Sequence, residues 1–225
     1  MSDAQQPLLA HATRDLARFA AALTFEAIPL DTVERIKLSV LDSIGCCLHG
    51  VTLPWTKRVE RMALGEGAAA RASIFGGAGK TSPALAVLVN STAGHAFELD
   101  DIHKESIIHP GSIATPVAMA LAEAESCGSC SVSGRDMITA MVAGYEIGTR
   151  VGNAATVQLL LDGFHPQGTS GAFCAAATAA HMLGLDALQT QHALGIVGSQ
   201  AGGLMAAQEG AMVKRLHSGR ASNAA

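Results

Sequence analysis

The chain has 225 residues, of which 49% are hydrophobic, 15% charged and 4% aromatic, and its formal net charge at pH 7 is −4. That length supports a substantial buried core, in one large domain or two small ones. The near-neutral charge excludes the electrostatic footprint of a nucleic-acid binder, and the apolar content excludes a disordered chain.

The first residues, Met1-Ser-Asp-Ala-Gln-Gln6, show no basic segment followed by an apolar run, so no secretory signal is expected. After Pro29-Leu-Asp31, the residues Val33, Ile36, Val40, Leu41 and Ile44 recur at helical spacing, and Gly50 closes the run as a C-terminal glycine. Ser73-Ile-Phe75, before Gly76-Gly77, is the one strand-like segment. Ser82-Pro83 opens a helix expected to reach Glu98, and Thr115-Pro116 opens another ending near Glu125. Ser133-Gly-Arg-Asp136 begins a third, with Ile138, Met141, Val142 and Tyr145 as its apolar stripe. Thr169 or Ser170 starts the next, which Gly184 stops and Asp186 follows as the cap of its successor. No internal repeat is present. The expected class is all-α, a single domain over residues 1–225, with 24 glycines favouring close helix packing over a β-sandwich.

Gly163–Leu185 and Ala187–Gln208 contain no Asp, Glu, Lys or Arg and are long enough to span a membrane. Their His, Gln, Ala, Gly, Ser and Thr make transfer to lipid weak or unfavourable, so buried core helices are expected and no membrane partner. The five cysteines, Cys46, Cys47, Cys127, Cys130 and Cys174, fit reduced thiols in a cytosolic compartment. Cys127-Gly-Ser-Cys130 supplies only half of a structural zinc site and lies in a Ser/Gly loop, which favours neither metal nor redox work.

Between the helices ending near Glu98 and starting near Thr115 runs Leu99-Asp-Asp-Ile-His-Lys-Glu-Ser-Ile-Ile-His-Pro-Gly-Ser112. Two aspartates, a glutamate, a lysine and two histidines here are placed for proton chemistry, on the kind of connection that carries functional groups. A solvated polar loop is the competing reading. His103 and His109 with Asp100 or Asp101 are the residue types of a metal site, but their spacing is not a recognised ligand pattern. Gly163-Phe-His-Pro-Gln-Gly-Thr-Ser-Gly171 precedes a helix start, where free N–H groups suit an anion. Lys214, Arg215, His217 and Arg220 form a late basic group; it either binds something negative or compensates a helix C-terminus. His95 reads as a satisfied core or helix-end residue, and His11, His49, His181 and His192 as structural or surface residues.

His95-Ala-Phe-Glu-Leu-Asp-Asp101 with His109-Pro110, then Gly144-Tyr-Glu-Ile-Gly148, Gly163-Phe-His-Pro166 with Gly168-Thr-Ser-Gly171, and Gly195-Ile-Val-Gly-Ser-Gln200 through Lys214-Arg-Leu-His217, strongly resemble the MmgE/PrpD family. Leu38-Ser-Val-Leu-Asp-Ser-Ile-Gly45 resembles its first long helix, so the likeness covers essentially the whole chain in order. The family includes dehydratases of 2-methylcitrate, decarboxylases of cis-aconitate and epimerases of iminodisuccinate. The resemblance therefore implies a small polycarboxylate substrate, no metal and no organic cofactor, and a homodimer. It also implies the family's all-helical N-terminal domain, with the α/β lid domain absent from this chain.

By the same resemblance His109 and His165 are acid/base residues and Lys214 binds a substrate carboxylate, with His217 and His103 assigned to the substrate as well. Asp101 and Glu98 are the acids expected to orient a histidine, Glu98 standing where the family has aspartate. Ile102 falls where the decarboxylase has threonine, which favours dehydration of a 2-methylcitrate-like hydroxy acid. Epimerisation, decarboxylation and a non-catalytic helical dimerisation domain are the alternatives.

Overall fold

The computed structural model describes residues 11–77, 79–126, 131–208 and 212–225. Cys127 and Cys130 lie outside the described residues; Cys46, Cys47 and Cys174 are buried free thiols.

The expected all-α class is what forms. Helix α1 (Ala12–Ala22) turns Ala17 and Ala20 inward and leads through a short 3₁₀ turn, Phe25–Ala27, to α2 (Leu30–Gly50). On α2, Val33 and Ile36 are buried as their spacing predicts, whereas Leu41 is 69% exposed. Pro54 then opens α3 (Pro54–Gly65) at a position where a helix needs no N–H. No single helix among the described residues is long and apolar enough to cross a membrane; α2 and α3 meet both conditions only when taken together, and they are bent by 89°. Of the strand-like segment Ser73–Phe75 only Ser73 is in a strand, β1 (Ala72–Ser73), which pairs antiparallel with β2 (Lys80–Thr81).

Helix α4 (Pro83–Gly94) is capped by Ser82, whose hydroxyl accepts the Leu85 N–H, and every residue from Ala86 to Gly94 is buried. Contrary to the expected run to Glu98, it stops at Gly94, so residues 95–98 are released into the following connection. Helix α5 (Gly111–Glu125) begins four residues before Thr115, with Pro116 inside it rather than at its start. Gly111 anchors that earlier start, because its N–H is taken by the Asp101 carboxylate at 2.9 Å. Helix α6 (Gly134–Leu161) starts where expected, closed by a Ser133/Asp136 capping box, and is broken at Thr156, which has φ 58°. Helix α7 (Pro166–Met182) starts at Pro166, three residues ahead of Thr169, again using proline in the first turn. Gly184, at φ 64°, ends that run, and Asp186 with Gln189 forms the capping box of α8 (Ala187–Gly198). After a second 3₁₀ turn, Met205–Gln208, comes α9 (Val213–Ala224).

Ile113 on α5, Met141 and Ile147 on α6 and Leu194 on α8 are fully buried in one core with the alanines of α7. Helices α6 and α7 approach through the Gly144-x-x-x-Gly148 pair: a Cβ on Gly148 would stand 2.6 Å from the Cys174 Cβ. The C-terminal end of α4 and the N-terminal ends of α5, α7 and α9 meet at one end of this bundle, and the polar residues collect there.

Candidate active site

His95 is the first residue after α4 and is 1% exposed. Its Nδ1 lies 3.1 Å from Asp100 Oδ2, while its Nε2 is buried with no hydrogen-bond partner, 4.0 Å from Glu98 Oε1. His109, just before α5, uses its Nδ1 on the same residue: it is 3.2 Å from the Asp100 carbonyl and 3.4 Å from Asp100 Oδ2. One carboxylate thus orients two imidazoles, whose ring centroids are 4.6 Å apart. His165 caps the start of α7 and lies 6.1 Å from His95 by ring centroid. Its Nδ1 is 2.9 Å from Nδ1 of His217 on α9, so one ring donates and the other accepts. Gly203 makes room for this pair, since a Cβ there would stand 3.1 Å from the His217 ring.

Lys214 and Arg215, in the first turn of α9, both hold Glu98: Lys214 Nζ bonds its Oε1, and Arg215 Nη1 is 2.6 Å from the same oxygen. The basic group therefore lies at a helix N-terminus, so compensation of a C-terminal dipole does not explain it. Arg220 is apart from it, bonded to Asn223 on the exposed side of α9.

The connection from Ala96 to Pro110 is held in an unusual backbone path. Glu98 and Ile107 have φ of 58° and 54°, two of the three positive values found at non-glycine residues among those described. Such conformations cost of order 1–3 kcal/mol each and persist where surrounding contacts fix them.

The charges of these groups diverge. Burial pushes the His165 pKa down to about 3, and nearby His95, His217 and Lys214 add to the effect, so the ring is neutral. Burial also lowers His95, against the pull of Asp100. Burial would lower His109 too, but hydrogen bonds and charge from Asp100 outweigh it and raise His109 above its ordinary 6.5. Asp100, despite burial, is held below the usual carboxylate range by the two histidines. Burial opposes ionisation of Glu98 as well, yet Lys214 and Arg215 hold it at about 2. An imidazole that holds its proton more tightly than usual and one that stays neutral, their ring centroids 4.6 and 6.1 Å from that of His95, are what acid/base chemistry on one substrate requires.

Of the residues expected in a site, His109, His165, His217, Lys214 and Glu98 come together here. Asp101 does not orient a histidine. Its Oδ2 accepts the Tyr145 hydroxyl at 2.6 Å, its Oδ1 the Gly111 N–H, and its own N–H donates to Asp42 Oδ2 at 3.2 Å. Asp101 is thus a fastener between α2, α5 and α6, and its neighbour Asp100 is the orienting acid. His103 bonds Ser106 at 2.8 Å, sits 3.5 Å from Glu105, and with Ile102 and Asp101 lines a separate cavity of about 400 Å³ beside Tyr145. Residue types alone do not separate Asp100 from Asp101, because an irregular loop has no period to say which faces inward. His95 looked like a core residue because it follows an apolar helix; it is buried, but inside the polar cluster. Gln167, fully buried between His109 and α9, had no signal beyond its place in the Gly163–Gly171 segment.

Ligand atoms of His95, Asp100 and His109 lie within 4.8 Å of one another, the set among the described residues that is able to hold a metal ion. Of the two histidines considered for such a role from the sequence, His109 is in it, with Asp100, and His103 is not.

A model of the MmgE/PrpD N-terminal domain matches residues 14–225, nearly the whole chain. The chain belongs to the MmgE/PrpD family. It is 35% identical over 211 residues to a cis-aconitate decarboxylase of Aspergillus terreus, covering 93% of this chain and 43% of that protein. With the cis-aconitate decarboxylase-like protein oryM of Aspergillus oryzae it shares 37% identity over 207 residues, 91% of this chain and 43% of that protein. The chain thus spans less than half the length of the curated relatives it matches, and what it supplies to this MmgE/PrpD architecture is the helical domain with the histidine cluster.

Proposed function

We propose that this domain carries the proton-transfer and carboxylate-binding groups of a lyase acting on a small polycarboxylate, with decarboxylation of a cis-aconitate-like tricarboxylate as the leading reaction. The observation that carries the proposal is the cluster of His109, held against the Asp100 carboxylate, and His165, held against His217, beside two cations, Lys214 and Arg215, that already grip a carboxylate. Glu98 occupies that grip, and a substrate carboxylate has a ready place to exchange into. In the decarboxylation, the bond to one carboxylate breaks and CO₂ leaves. The electron pair shifts through the neighbouring double bond, and His109 gives its proton to the carbon where negative charge gathers, then recovers one from water.

Dehydration of a 2-methylcitrate-like hydroxy acid uses the same groups differently: neutral His165 removes the proton beside the carboxylate and His109 protonates the departing hydroxyl. The similarity to cis-aconitate decarboxylases supports the first reaction. The isoleucine at position 102 does not count against it, since Ile102 is half exposed and lines the cavity beside Tyr145. A homodimer in the cytosol, acting without metal or organic cofactor, completes the proposal.

The test is proton NMR in heavy water on the chain extended to full family length, offered cis-aconitate and 2-methylcitrate separately. Loss of CO₂ from cis-aconitate with one deuteron entering the product is expected, slowed by roughly 10²-fold or more in His109→Gln. Water loss from 2-methylcitrate with cis-aconitate untouched would put dehydration in first place. Turnover of neither substrate by a folded protein would overturn the lyase reading.

A further inference from the structure

Gln167 has no exposed surface and uses both ends of its amide on the residue proposed as the acid. Its Oε1 accepts the His109 N–H at 2.8 Å, and its Nε2 donates to the His109 carbonyl at 3.1 Å. The same Nε2 reaches Ser112 Oγ at 3.1 Å and Ser218 Oγ at 3.0 Å. Ser112 in turn donates to the His109 carbonyl at 2.9 Å and lies 3.3 Å from Ser218. The amide orientation is fixed, because only the oxygen can face an N–H and only the nitrogen a carbonyl.

We propose that Gln167 is a positioning residue of the site, locking the backbone of His109 to the helices that carry His165, Lys214 and His217. The proposal rests on the lyase reading for its consequence in turnover, but not for its geometry. Gln167 is the second residue of α7, two after His165; Ser218 follows His217 on α9; Ser112 is the second residue of α5. One side chain therefore ties three helices together at the point where their functional residues converge. The elements have no slack to absorb a change there. A Cβ on Gly168 would run into the Gly202 carbonyl, and one on Gly219 into Thr92 and the Leu88 carbonyl. An apolar side chain of the same length would leave the His109 N–H without its acceptor, a loss of order 1–3 kcal/mol that any acceptor at this place would avoid. What the amide adds is a single orientation.

That orientation matters because a catalytic group displaced by about 1 Å loses up to about 10²-fold in rate. The groups facing His109 are Asp100, Asp101 and His95, and the raised affinity of its ring for a proton depends on staying against Asp100. Gln167→Met keeps the shape and removes all four bonds; Gln167→Glu keeps the shape and the acceptor for the His109 N–H but brings a negative charge. The measurement is the titration of the His109 ring in this chain by heteronuclear NMR, with no substrate present, followed by kcat and KM in the full-length protein.

The expected result is that His109 titrates lower in Gln167→Met and higher in Gln167→Glu, with kcat reduced roughly tenfold or more in both and KM nearly unchanged. Because the titration is read without turnover, failure of the lyase reading leaves that half of the test intact. Folded variants in which His109 titrates as in the parent would overturn the proposal. Should Gln167→Met fail to fold, Gln167→Glu carries the test alone; loss of fold in both would make Gln167 a purely structural residue and overturn it too.

Discussion

At Lys214 and Arg215 two cations sit in the first turn of a helix, the end whose free N–H groups already carry partial positive charge. That arrangement is costly alone and becomes stable only with an anion facing it. Glu98 supplies the anion here, from a backbone held at φ 58°, and the exchange of that carboxylate for one on a ligand is the binding step we propose. Lys214→Met should therefore weaken binding of a tricarboxylate by roughly 10–100-fold, the range for loss of one charged hydrogen bond. Titration calorimetry measures it; unchanged affinity would place the carboxylate elsewhere. The same scale explains the misplaced acid in the sequence reading. Asp100 and Asp101 are chemically alike and adjacent, and only tertiary contacts, two histidines for one and Tyr145 with Gly111 for the other, separate their work.

At the scale of helices the sequence was mostly readable, because proline, serine, aspartate and glycine mark ends for local reasons. The capping boxes at Ser133 and Asp186 and the stop at Gly184 are where those reasons place them. The starts of α5 and α7 came earlier than expected since each is set by what it meets: Gly111 by Asp101, Pro166 by the turn around His165. Leu41 fits an apolar stripe by spacing yet faces out, as spacing alone does not fix how wide the buried face is. Glycine placement yields a paired prediction. A Cβ added at Gly45 on α2 would have nothing within 4 Å, so Gly45→Ala should stabilise by about 0.5–1 kcal/mol through helix propensity. Gly148→Ala has the same propensity gain, but its Cβ would press on Cys174; overpacking of about 1–3 kcal/mol outweighs it and the variant should be less stable. Urea unfolding of the two variants checks the opposite signs.

Over the whole molecule, four helix ends converge so that groups from positions 95 to 217 share one small volume. The all-helical class and most of the residues that meet there followed from the sequence and its family likeness. The partners that hold several of them in place did not, because they depend on contacts between segments distant in the chain: Gln167 on His109, His217 on His165, Lys214 on Glu98. The proposed chemistry stands on this volume holding one imidazole of raised proton affinity and one that stays neutral. A folded-state pKa raised above the ordinary 6.5 lets His109 keep its proton to higher pH than a free imidazole, the proton being lost as pH rises through that higher value, while His165 stays neutral until pH falls to about 3. The decisive experiment is a pH titration of the histidine ring resonances, assigned by His109→Gln and His165→Gln. We expect one ring to titrate above 6.5 and the other to stay uncharged across the neutral and mildly acidic range; both rings titrating together near 6.5 would refute the pairing.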